Sequence, residues 1–172
     1  MNLGDDDFTV FGLAQRQGLD LTDLANRWRA LQAQVHPDRH VSAPAASQRQ
    51  AMQWALRVNQ AYQRLRDPLQ RAAYLCELRG ARVDAHENTA MPVTFLQQQM
   101  HWREALDEAG DADALEHLRG EVERFEAELL AQAEQLLDMD NDAVSAVERV
   151  RALMFVTRFK DELERRQDAL AH

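Results

Sequence analysis

His36 and Asp38 stand either side of Pro37 and are followed by Arg39. A histidine beside a carboxylate is a pairing that general acid–base catalysis uses, because an imidazole titrates near neutral pH and a carboxylate can orient it. Such chemistry also needs an activated Ser, Thr or Cys, or a third group closing a substrate pocket. The neighbouring residues supply neither. Metal ligation needs convergent ligands, whereas His86, His101 and His117 are scattered and Cys76 is the only cysteine. One cysteine excludes a paired-cysteine zinc site and any internal disulfide. Neither enzymatic activity nor a cofactor or resident metal is expected; the His-Pro-Asp-Arg run reads either as a recognition surface or as a structural turn, in which Pro37 stops a helix and Asp38 hydrogen-bonds the turn.

The elements that must position this run are helices. Period-two alternation is absent and apolar residues recur at intervals of three and four. A first helix is expected from Leu21 to Val35, with Asp20 as its N-cap and Leu21, Leu24, Ala25, Trp28, Leu31 and Val35 on its apolar face. Pro37 ends it. A second, from about Ser47 to Leu65, carries Ala51, Ala55, Val58, Tyr62 and Leu65 on one stripe. Two facing stripes joined by the loop His36 to Ala46 make an antiparallel pair with the His-Pro-Asp at its tip. A shorter helix follows from Pro68 to Leu78 and stops at Gly80.

The polar stretch from Ala81 to Ala90 reads as a linker, after which Pro92 suits the first turn of a new helix. On that helix, at about 100° per residue, Phe95, Trp102, Ala105, Leu106 and Ala109 fall on one arc. Leu96, Gln97, Met100, Glu104 and Glu108 fall on the other, with His101 at its edge. The next helix shows a seam at Leu115, Leu118, Val122, Phe125, Leu129 and Leu136, with Gly120 inside it at a cost of about 1 kcal/mol relative to Ala. The last begins at Asn141-Asp142 and runs to about Leu170. Its run Leu153-Met154-Phe155-Val156 is apolar on every side, so one of the four is expected to stand exposed or in a groove.

Charge divides the 172 residues in the same place. Residues 1–80 hold ten Arg against eight acids, +2, and residues 81–172 hold ten bases against twenty-one acids, −11. Two charge laws suggest two surfaces with different partners, and neither half reads as a nucleic-acid binder. No apolar run approaches the roughly 18 residues a membrane span requires. The opening Met1-Asn2-Leu3-Gly4-Asp5-Asp6-Asp7 lacks the features of a signal peptide, so a cytoplasmic location is expected.

The first 78 residues resemble a J domain. Besides His36-Pro37-Asp38, the resemblance rests on Asp7-Phe8 with Phe11-Gly12-Leu13, and on Val58-Asn59-Gln60-Ala61-Tyr62, Leu65-Arg66-Asp67-Pro68 and Arg71 in order. The ending, with Arg71-Ala72, Tyr74-Leu75, Leu78 and Gly80, is similar to that of the HscB family of J-type co-chaperones. Thr94-Phe95-Leu96 and Arg103-Glu104-Ala105-Leu106-Asp107-Glu108 are similar to the start of that family's C-terminal bundle. Arg39 stands where many J domains carry Lys. No cysteine-rich N-terminal zinc segment is present, which resembles the bacterial form.

The resemblance implies an all-α chain: a J domain over 1–79, a linker over 80–92, and a scaffold-binding three-helix bundle over 93–172. It implies that His36, Pro37, Asp38 and Arg39, helped by Arg27 and Arg29, contact a DnaK-type (HscA-like) chaperone ATPase and stimulate its hydrolysis. It further implies that Leu96, Gln97, Met100, His101, Glu104, Glu108 and Phe155 bind an IscU-like iron–sulfur scaffold protein. Gln97 and His101 depart from the family's methionine and glutamate, leaving a less apolar and less acidic patch. A general J-type co-chaperone with another client, or a structural helical adaptor, are the alternative readings.

Overall fold

The computed structural model describes residues 2–83 and 91–172; most of the expected linker (84–90), with His86, lies outside the described residues. All regular structure among the described residues is helical: α1 (Asp7–Val10), α2 (Leu21–Val35), α3 (Ala45–Arg66), α4 (Pro68–Leu78), α5 (Val93–Glu108), α6 (Ala112–Glu134) and α7 (Ala143–Ala171). The chain divides into two compact units, Met1–Leu75 and Cys76–His172.

In the first unit, local chemistry sets the helix ends. The Asp20 carboxylate accepts from the N–H groups of Thr22 and Asp23 at 2.9 and 3.2 Å, starting α2. Pro37 holds His36 at φ −58°, ψ 130°, outside the helical region, and α2 stops at Val35. Pro68 likewise holds Asp67 extended at the end of α3, and the freed Asp67 carboxylate caps α4 through the N–H groups of Leu69 and Gln70.

α2 and α3 pack antiparallel, with α1 laid on α3. Leu24, Ala51, Val58, Ala61 and Leu65 are buried, and Phe8, Val10 and Phe11 close one side of the core. The expected stripes are only partly buried. Leu21, in the first turn, is 49 % exposed, and Ala25, Trp28, Leu31, Val35, Ala55 and Tyr62 are half-buried, because two helices alone leave their outer edges open. Trp28 and Tyr62 stack at 4.5 Å, and the Trp28 indole N–H donates to Asn59 Oδ1 at 3.0 Å, locking one helix to the other.

Asp7 is a buried charge of this unit, 1 % exposed. Its carboxylate meets Arg57 at 2.8 Å and Arg64 at 3.2 Å, and its N–H donates to the Tyr74 hydroxyl at 3.0 Å. Replacing Asp7 by Asn strands two guanidinium groups. It is expected to cost the first unit about 2–3 kcal/mol in urea unfolding, less than a fully buried pair because Arg64 reaches solvent.

The second unit opens at Cys76, placed by sequence in the first half. The thiol is buried, lies 3.9 Å from the Ala143 carbonyl, and burial pushes it up to about 11. Gly80, at φ 82°, ends α4: its N–H donates to the Glu77 carbonyl and that of Ala81 to the Cys76 carbonyl. This pair of bonds needs a left-handed residue at the glycine position.

α5, α6 and α7 form a bundle around Phe95, Trp102, Phe125 and Phe159, with Trp102 edge-on to Phe125 at 5.0 Å. Leu115, Leu118, Val122 and Leu129 line the inner face of α6 as spaced. The seam departs from expectation at its end. A π turn over Gln135–Met139 winds more widely than an α-helix, and Leu137 rather than Leu136 takes the core position. At Gly120 an added Cβ would meet nothing nearer than the mobile end of Arg124 at 3.5 Å. Gly120→Ala is therefore expected to stabilise the bundle by about 0.5–1 kcal/mol, seen as a raised midpoint of chemical unfolding.

Candidate functional site

At the hairpin tip, Pro37–His40 form a single 3-10 turn. His36 Nδ1 accepts from the Asp38 N–H at 3.2 Å and lies 3.5 Å from the Asp38 carboxylate. The Asp38 side chain is 87 % exposed. His36 and Asp38 thus form a polar pair open to a partner.

Arg39 ties this turn to the end of α2 by donating to the Ala33 carbonyl at 3.0 Å. From the α3 side, Gln48 donates to the carbonyls of Val41 and Ala43. The arginines of α2 differ in what they do. Arg29 is exposed and donates to Asn26 Oδ1 at 2.7 Å. Arg27 is held by Asp23 at 3.0 Å and donates to the Phe11 carbonyl at 2.9 Å, so much of its reach is spent inside the fold.

In the bundle, α5 divides as its periodicity requires. Phe95, Trp102 and Leu106 are buried, whereas Leu96 is 44 % and Met100 65 % exposed. Gln97, His101, Glu104 and Glu108 are exposed on the same outer side. Of the apolar run on α7, Leu153 and Val156 are buried, while Met154 and Phe155 are half-buried. Phe155 packs edge-on against Phe95 at 5.7 Å and, with Met100, Gln99, Arg103 and Glu104, lines a shallow groove of about 340 Å³.

Two features of this face were not read from sequence. Arg103, three positions from Met100, pairs with both oxygens of Glu162 at 2.7 and 2.8 Å and thereby ties α5 to α7 along the groove. At the other margin, His101 Nε2 lies 3.6 Å from Glu121 of α6, which His117 Nε2 approaches equally closely. The i, i+4 spacing of His117 and Glu121 was visible; their meeting with His101 was not.

A helical hairpin presenting a fixed His-Pro-Asp tip, in one chain with a separate three-helix bundle, is the plan of a J-type co-chaperone. A family model described as the HSCB C-terminal oligomerisation domain matches residues 91–164. The chain is similar to the co-chaperone protein HscB homolog of Bordetella pertussis, 46 % identical over 164 residues that span 95 % of this chain and 96 % of that one. It is 47 % identical to the counterpart in Burkholderia mallei, across 100 % of this chain and 99 % of the other. The solved structure of the chaperone HscB from Vibrio cholerae superposes with a TM-score of 0.82 at 34 % identity, covering 96 % of this chain and 99 % of that one. The chain belongs to the HscB family of co-chaperones.

The His36 tip lies outside the core of its unit, whereas Phe155 packs against the aromatic core of the bundle, so variants at the two differ in stability. His36→Gln is expected to leave stability within about 0.5 kcal/mol. Phe155→Ala, which removes a half-buried ring from the Phe95–Phe159 cluster, is expected to cost about 1–2 kcal/mol, both read from denaturant unfolding.

Proposed function

We propose that this chain stimulates the ATPase of a specialised, HscA-like DnaK-type chaperone and brings to it an IscU-like iron–sulfur scaffold protein during cluster assembly and transfer. The observation that carries this reading is that two exposed surfaces of different chemistry stand on two separately folded units. One is the fixed polar pair His36/Asp38. The other is the Leu96/Met100/Phe155 patch with Glu104 and Glu108 beside it.

In mechanism, the tip supplies an exposed imidazole and a carboxylate acceptor held at fixed spacing by Pro37. Little conformational entropy is then lost when a partner surface closes on it. Arg39 and Arg29 add positive charge near the tip, which speeds encounter with an acidic surface and makes it salt-sensitive. The patch buries apolar side chains of a client while its carboxylates select a basic rim. Hydrolysis takes place in the partner; this chain holds two proteins in reach of one another.

The test is single-turnover ATP hydrolysis by the partner chaperone, with and without scaffold. His36→Gln is expected to abolish stimulation. Leu96→Ala/Phe155→Ala is expected to keep the stimulation due to the co-chaperone alone and lose the extra stimulation due to scaffold. If the patch variant behaves as wild type, the client is not the iron–sulfur scaffold, and a J-type co-chaperone with another client replaces this reading.

A further inference from the structure

The outer arc of α5 ends at His101, and beyond it stands a cluster contributed largely by α6. Two imidazoles flank one carboxylate: His101 Nε2 is 3.6 Å from one Glu121 oxygen and His117 Nε2 is 3.6 Å from the other. Both histidines are open to solvent, with 62 and 78 % of their side chains exposed, and Glu121 is 34 % exposed. Among the described residues no group of His, Cys, Asp and Glu has the geometry to hold a metal ion. The hollow beside His101 is also lined by Gln98, Trp102, Arg124, Phe125 and Glu128. Arg124 and Glu128 of α6 are therefore the further charges facing it, Glu104 lies one turn along α5, and α7 contributes no lining residue there.

We propose that Glu121 is a rim carboxylate of the client-binding face, supplied across the helix pair, and that His101 and His117 set its effective charge. The inference rests on the client reading above and adds a residue and a dependence to it. Histidine side chains titrate ordinarily near ~6.5. With both imidazoles neutral, the rim formed by Glu104, Glu108 and Glu121 carries three negative charges. With both protonated, two cations stand at ion-pair distance from Glu121 and the rim falls to a net single negative charge. A client with a basic contact surface, which this acidic half favours, binds more tightly at the higher pH. A fixed carboxylate at position 101 would titrate far below this window and give no such dependence.

The test measures affinity of the full chain for the purified scaffold by calorimetry at about pH 7.5 and about pH 5.8, either side of the imidazole range. Wild type, Glu121→Gln and His101→Gln/His117→Gln are compared. Wild-type affinity is expected to fall about three- to tenfold more on acidification than that of the double histidine variant, and high salt should shrink the difference. Titration of the scaffold itself is common to both chains and cancels. Glu121→Gln is expected to weaken binding at the higher pH and to share the flatter profile. Equal pH profiles for wild type and the double histidine variant overturn the inference. If affinity still depends on Leu96 and Phe155, the client reading survives that result. If wild type binds no scaffold at either pH, the client reading fails and takes this inference with it.

Discussion

A helix turning about 100° per residue has one inward arc, and this molecule is organised by what that leaves outside. On α5 the arc of Phe95, Trp102 and Leu106 is taken by the aromatic core, so Leu96 and Met100 cannot also be buried. Their exposure follows from the packing of Trp102 against Phe125 and Phe159, because rotating α5 to hide Met100 would bring Trp102 into solvent. α7 meets the same limit where four apolar residues run together. The core takes Leu153 and Val156, and Phe155 is left in the groove beside Met100. The exposed apolar patch of α5 and α7 is thus the remainder of the bundle's own folding problem.

The hairpin solves a different problem. A recognition turn between two long helices tends to be loose, and here it is tightened from three directions. Pro37 fixes the backbone of His36, Arg39 closes on Ala33, and Gln48 reaches back from α3 to the carbonyls of Val41 and Ala43. The stacking of Trp28 on Tyr62 then transfers that order to the helix pair. The tip has few apolar contacts of its own, and hydrogen bonds to backbone carbonyls do the positioning.

Features carried by local chemistry were legible in the sequence. α2 lies where Asp20 and Pro37 bound it, α4 runs from Pro68 to Leu78, and the inner arc of α5 is the one its spacing marks. The family resemblance drawn from Asp7-Phe8, His36-Pro37-Asp38 and the Tyr74–Gly80 ending agrees with the relatives that match nearly the whole chain. What stayed hidden depends on which helix meets which. Nothing in the spacing of α5 announces that Arg103 will find Glu162, or that His101 will find Glu121. Leu21 sat on the apolar face by period alone but lies beyond the cover of a third element. Leu136 lost its place because one turn winds as a π-helix, a local change of pitch that the leucine spacing does not record.

The burial of Asp7 has a consequence for how the chain leaves the ribosome. Its partners are Arg57, Arg64 and the Tyr74 hydroxyl, fifty to sixty-seven positions downstream. During synthesis α1 is made before these partners and has nothing to dock against until α3 and most of α4 have cleared the tunnel. Only when Tyr74 arrives are all the partners of Asp7 present, so α1 is fixed in place later than its position in the chain suggests.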